Sequence, residues 1–271
     1  EGLLPGVLTG LDQVRDLWMY GGVNRFNDMD MMVIGLHGRG NPSNMTPTHN
    51  ANGGVIPSLT AEQYRSQMSL WCMLSSPLAL TCDFRDTPVA DGNTSAGTLP
   101  NPLITKTDLS IMTNPDIIAI NQDSLGQQAE YMEALSTGTR DNVASGYDIY
   151  VKDLSGGRMA VAVFNRSSSA QSVPALNLAD LYMDGDATYT AKNVWEGSTE
   201  VVSGTLKAGS LKAYQTKVFV FTPQGNETGI TETENGKVKS ENFPVFDLSG
   251  RRVQNMQTGV SITDGKVVVK K

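Results

Sequence analysis

The chain has 271 residues, with 21 Lys and Arg against 28 Asp and Glu and a net charge of −7. A nucleic-acid binder needs a basic face to neutralise phosphates, so that function class is excluded. At 39% hydrophobic and 18% charged residues, the chain is globular, has a length suited to about two domains, and can bury a core without disulfides or metals.

Residues 1–125 alternate helix and strand signals. Leu11–Tyr20 places Leu11, Val14, Leu17 and Trp18 at a helical period, and Gly21-Gly22 stops it. Met29–Gly35 is a short apolar run, expected as a buried parallel strand. The polar stretch 39–58 is too long for a plain connector and is expected to shape a site. Thr60 and Gln63 then fit a capping box, and Tyr64, Met68, Trp71 and Leu74 give the following helix one apolar face, with Pro77 ending it. Leu78–Cys82 is a second short buried strand, 86–102 a second long loop, and Leu103–Thr113 a helix stopped by Asn114-Pro115.

Past Gly126 the character changes. Asp148–Lys152, Met159–Phe164 and Lys217–Thr222 are β-rich runs separated by turn signals, as in an antiparallel sandwich. The boundary is expected between Gly126 and Tyr131. Residues 224–242 read as a polar linker, and two or three short strands are expected from Phe243 onward.

The longest uncharged run in the helical region, 66–82, is too short, too polar and too interrupted by Pro77 to span a membrane. Cys72 and Cys82 lack metal-site spacing and read as two buried free thiols, with a disulfide the alternative in an exported chain. Asp28 and Asp30 form the densest acidic cluster. At i, i+2 on a strand they would share a face, as acid/base or nucleophilic chemistry on a sugar would use; the competing reading is a turn cap and a hydrogen-bonded loop acid. Asp83, ending the second apolar run, is either a strand-end site residue or the partner of Arg85. His37 and His49 read as solvated loop residues, and no metal or cofactor motif is present. Four glycosylation sequons, at Asn44, Asn93, Asn165 and Asn226, all fall in turn-like sequence.

Four segments resemble glycoside hydrolase family 27, the α-galactosidase family. Phe26-Asn27-Asp28-Met29-Asp30-Met31-Met32-Val33-Ile34-Gly35 is similar to its W-N-D-P-D-M-L-x-x-G segment, and Tyr64–Trp71 to Y-R-x-x-x-S-L-W. Pro77-Leu78 with Asp83-Phe84-Arg85 is similar to A-P-L-x-x-x-x-D-L-R, and Asn114–Asp123 to N-x-E-V-I-A-I-N-Q-D. The chain departs from the pattern at Phe26, Met29 and Ser124, and in the length of both long loops.

The resemblance implies a partial (β/α)8 barrel, consisting of its last strands and helices, followed by an antiparallel β-sandwich. Met31–Ile34 would be the seventh barrel strand and Leu78–Cys82 the eighth. It divides the chain into barrel (1–127), sandwich (128–223), linker (224–242) and a small β tail (243–271). A whole barrel takes about 250 residues, so the earlier strands are expected to precede Glu1, the start without Met being a truncation. The family's nucleophile and acid/base aspartates belong to those strands, so no catalytic residue is expected here. Asp30 and Met31 match positions lining the galactose pocket, Asp30 accepting hydrogen bonds from hydroxyls and Met31 supplying apolar wall.

The expected activity of the whole protein is metal-free, retaining hydrolysis of terminal α-D-galactosides. Alternatives are α-N-acetylgalactosaminidase or β-L-arabinopyranosidase activity, or a non-catalytic carbohydrate-binding module. Pro244–Val253 with Lys266–Lys270 resembles a Bacteroidetes secretion/sorting segment, implying a periplasmic or extracellular location; the alternative is an ordinary β appendage.

Overall fold

The structure is a computed structural model that describes residues 4–37, 59–82, 104–138 and 145–224, together with four short strands between 245 and 270. Asp83 with Arg85, His49 and the sequons at Asn44, Asn93 and Asn226 fall outside the described residues, as do both long loops and all of the linker except Gln224.

Helix α1 spans Leu4–Val14, earlier than the period at 11–20 indicated. Val7, Leu8, Leu11 and Val14 are buried while Leu17 is exposed, so the inward stripe runs back from Val14. A 3₁₀ turn, Trp18–Tyr20, follows. Helix α2, Ala61–Met73, starts with the expected Thr60–Gln63 capping box. It is not half-exposed as a single apolar face would imply: every residue from Ser66 to Met73 is buried. Helix α3 spans Lys106–Met112 and is capped by Thr105 and Asp108. Asn114-Pro115 does more than stop it. The Asn114 side chain caps a further helix, α4 (Pro115–Asn121), with proline in its first turn, where its missing N–H costs nothing.

The two expected buried strands are corrected. Met29–Gly35 and Leu78–Cys82 meet in one parallel bridge, Met32 with Leu80, rather than in extended strands. Positive φ at Asp30 (72°) and Gly35 (85°) breaks the pleat at both ends of the first run. Cys72 is buried, but Cys82 is only half-buried, and both are free thiols.

From Glu130 the chain is β. Strands β1 (Glu130–Tyr131), β2 (Tyr147–Leu154), β3 (Arg158–Asn165), β4 (Gln171–Val173), β5 (Leu176–Asn177), β6 (Thr188–Asn193), β7 (Thr199–Ser203), β8 (Thr205–Leu206), β9 (Gly209–Leu211) and β10 (Thr216–Pro223) follow in order. Six form an antiparallel sheet in the order β1-β2-β3-β10-β6-β7, and the ribbons β4-β9 and β5-β8 supply further pairing. Alternation on the central strands feeds two cores. Ile149, Val151, Val161, Val163, Phe219 and Phe221 pack with Leu176, Leu206 and Leu211 inside the sandwich. Tyr150, Leu154, Ala160, Ala162, Phe164 and Val218 pack on the other face against Leu11, Met68, Leu70, Trp71, Ile117 and Ile120. Burial on both faces explains why these strands read as continuous apolar runs.

The tail has four strands, one more than the upper expectation: β11 (Val245–Phe246), β12 (Arg252–Val253), β13 (Gly259–Thr263) and β14 (Lys266–Lys270), in the order β12-β11-β13-β14.

Buried charge joins the helices to the sheet. The fully buried Arg166 donates to both Asp12 carboxylate oxygens, at 2.9 and 2.7 Å, and to Asp148 at 2.6 Å. Arg15 lies 3.8 Å from Asp148 and stacks over Tyr131 at 4.1 Å. Two arginines thus face two aspartates, balancing charge removed from water. Burial works to raise the Asp148 carboxyl and outweighs the arginines that oppose it, while Arg166 is held further above its ordinary value by its carboxylate partners despite burial. The sequon residue Asn165 is buried, its amide donating to Ser169 O and Lys212 O, so in the folded chain it cannot accept a glycan.

Candidate sugar-binding site

The site builds outward from the 27–33 segment. Asn27 donates to Leu17 O and to Gln128 Oε1, and Gln128 donates to Val14 O, fixing the entry to the segment. Asp28 Oδ1 accepts from the Asp30 amide at 2.9 Å, closing an Asx turn, and Asp30 Oδ1 accepts from the Met31 amide at 2.7 Å. Asp30 sits in the left-handed region, so the two aspartates do not share a strand face. The i, i+2 pair is therefore corrected: Asp28 shapes the turn, and Asp30 is presented at its tip.

Helix α2 supports this turn with side chains. The Trp71 indole donates to Asp30 O at 2.8 Å, Ser76 Oγ accepts from the Met29 amide at 2.9 Å, and Gln67 Oε1 accepts from the Val33 amide at 3.0 Å. Three backbone groups that a ladder would otherwise satisfy are thus paired across to α2 and the turn after it. Met29 and Met32–Leu36 are buried, while Asp30 and Met31 face out, Met31 at 47% exposure. Asp30 Oδ2 has no partner among the described residues. A carboxylate with one oxygen pinned and the other open can accept from a ligand hydroxyl, and the adjacent Met31 thioether offers an apolar contact.

His37 is not merely a solvated loop residue. Its Nε2 lies 2.8 Å from Asp108 Oδ2, its amide donates to Tyr64 Oη, and its ring meets Tyr64 edge-on. Burial works to raise Asp108, but hydrogen bonds from the Thr105 hydroxyl and amide, then His37, outweigh it and hold the carboxyl below its ordinary value. Among the described residues no group of three or more His, Cys, Asp and Glu is placed to hold a metal ion, and no helix is long and apolar enough to cross a membrane.

The supporting roles of Gln67, Trp71 and Ser76 were not legible in the sequence. The apolar period around Tyr64–Leu74 marks Trp71 as core, and nothing local says where its indole N–H points.

Residues 144–221 match the family model for the alpha galactosidase C-terminal beta sandwich domain. The chain is 29% identical over 206 residues to an alpha-galactosidase of Cyamopsis tetragonoloba and 32% identical over 174 residues to one of Coffea arabica, covering 76% and 64% of this chain. These matches support the α-galactosidase family. A crystal structure of a candidate alpha-galactosidase/melibiase from Bacteroides fragilis superposes with a TM-score of 0.57 at 30% identity, covering 80% of this chain and 38% of that one. The chain likewise spans 38% of the length of each of the two plant α-galactosidases. Similarity over 80% of the chain cannot fit within the residues after 127, so the likeness extends into the helical portion that carries Asp30.

Proposed function

We propose that this chain is the C-terminal part of an exported, retaining α-galactosidase that hydrolyses terminal α-D-galactosides. Residues 1–127 are the last part of a (β/α)8 barrel, 128–223 the sandwich, 224–242 a linker, and 243–271 a β tail serving as a sorting segment. The observation that carries the reading is the Asp30 turn: an open carboxylate beside Met31, held up by α2, within a chain similar to α-galactosidases. Asp30 accepts hydrogen bonds from galactose hydroxyls, and Met31 forms apolar wall.

The barrel assignment draws support from Met32 and Leu80 bridging in parallel with helix α2 between them in the chain, as neighbouring strands of a βαβ unit do. It also draws support from exposed apolar side chains at Leu17, Met19, Tyr20, Val23 and Phe26, a concentration that a monomer's surface rarely carries uncovered. In this reading earlier strands of the longer protein cover them and bring the two catalytic aspartates, which retaining chemistry needs about 5–5.5 Å apart.

The test uses the longer polypeptide with its upstream residues and a nitrophenyl α-galactoside. Turnover is expected, and Asp30→Asn should raise KM at least about tenfold, the range for a hydrogen bond to a charged group. The 271-residue chain alone should give no hydrolysis. Robust turnover by it would overturn the placement of the catalytic pair, and an unchanged KM in Asp30→Asn would overturn the role of Asp30.

A further inference from the structure

Lys152, on β2, is 1% exposed and makes no ion pair among the described residues. Its ammonium nevertheless uses all three N–H donors, to Cys72 O at 3.0 Å, Ser75 Oγ at 2.7 Å and Ile120 O at 2.7 Å. Cys72 and Ile120 are each the penultimate residue of a helix, α2 and α4, so the cation sits where two helix dipoles present their negative ends.

Each acceptor is a chain neighbour of a residue that builds the Asp30 turn. Cys72 follows Trp71, whose indole holds Asp30 O. Ser75, itself left-handed at φ 52°, precedes Ser76, whose hydroxyl holds the Met29 amide. Ile120 precedes Asn121, whose amide donates to Ser76 O at 2.9 Å. One side chain from the sheet therefore bonds next to both residues that hold Met29 and Asp30, Trp71 and Ser76, and next to Asn121, which holds Ser76 in turn.

We propose that Lys152 is a positioning residue of the sugar site: through its ammonium, the β-sheet domain sets the geometry of the Asp30 turn. The functional part of this inference rests on the reading of Asp30 as a sugar ligand. It gives the sandwich a role in ligand recognition although none of its side chains need touch the sugar.

The test is hydrogen exchange by NMR on the 271-residue chain, comparing wild type with Lys152→Met, which fills similar volume and removes the donors. The Trp71 indole N–H and the Met29 amide should exchange at least about tenfold faster in the variant, relative to amides paired between β3 and β10 such as Val161 and Phe219. Uniform acceleration across both groups, or no change at the Asp30 turn, would overturn the proposal. Should Lys152→Met not fold, Ser75→Ala, which removes one acceptor, decides by the same criterion with a smaller effect. The readout involves no sugar, so it stands apart from the KM of Asp30→Asn in the longer polypeptide: a site-selective exchange change with an unaltered KM would sink the sugar reading and keep the coupling.

Discussion

Arg166→Met would test how the first helix is held to the sheet. The substitution keeps much of the volume and removes three charge-assisted hydrogen bonds, two to Asp12 and one to Asp148. Asp148 has no side-chain exposure and is left with the Tyr150 hydroxyl, which donates to it at 3.3 Å, and with Arg15, which lies 3.8 Å away without a hydrogen bond to it. Summing the lost bonds would overstate the effect, because the intact cluster already bears the cost of leaving water. The relevant magnitude is that of breaking a buried pair from one side, about 3–5 kcal/mol.

The pH dependence supplies a second handle. Burial already pushes the Asp148 carboxyl up, and losing Arg166 removes the largest opposing influence. In the variant the folded state therefore binds its proton more tightly than the unfolded chain, whose carboxyl keeps its ordinary value near 3.9. Stability then rises as pH falls through the folded value, so the deficit against wild type should narrow from pH 7 toward pH 4. Urea unfolding followed by circular dichroism, at fixed m-value, measures both quantities. A loss under about 1 kcal/mol at pH 7, or a deficit that does not shrink in acid, would refute the account of Arg166 as the compensating charge.

Burial lowers Lys152 from its ordinary 10.5 to about 8, and burial raises the neighbouring Cys72 to about 12, against the pull of Lys152. For the lysine the unfolded chain binds the extra proton between pH 8 and 10.5, so stability rises there; for the cysteine the folded chain does so between pH 9 and 12, so stability falls. These two groups predict a rise up to about pH 9, a plateau and then a decline, and Cys72→Ala should remove its share of the decline in alkaline denaturation curves. Gly126→Ala should cost more than about 2 kcal/mol by thermal melting, because φ is 59° and the new Cβ would lie 2.9 Å from Val23 N, a backbone atom that cannot step aside. Thr60→Ala, removing the capping box of α2, should cost about 1 kcal/mol in the same assay. Expressed through a eukaryotic secretory route, folded chain should carry no glycan at Asn165 by mass spectrometry, since both the carbonyl and the amide of that side chain are committed inside the fold.

Patterns of short range were legible from residues alone. Thr60 with Gln63 fixed where α2 starts because both partners of the capping box lie within one turn. The runs around 148–152, 159–164 and 217–222 announced strands because each is buried on both faces, and their change of period from the first half marked the passage from helices to sheet near Gly126. The segment Phe26–Gly35 singled out Asp30 and Met31, and the structure exposes both at the tip of a turn.

What the residues by themselves could not determine depends on partners far away in the chain. Asp30 looked like a strand residue aligned with Asp28, yet its left-handed backbone is held by an indole 41 positions later. Nothing in the local sequence sets apart Lys152, within an expected strand, or Arg166, just past one. Only the packing of helices against the sheet places one on two helix ends and the other between two aspartates, one of them 154 positions away. Hydrophobic period and capping act within a few residues, so sequence order encodes them. The pairing of a buried charge is set by which elements meet, and desolvation leaves it no substitute once they do.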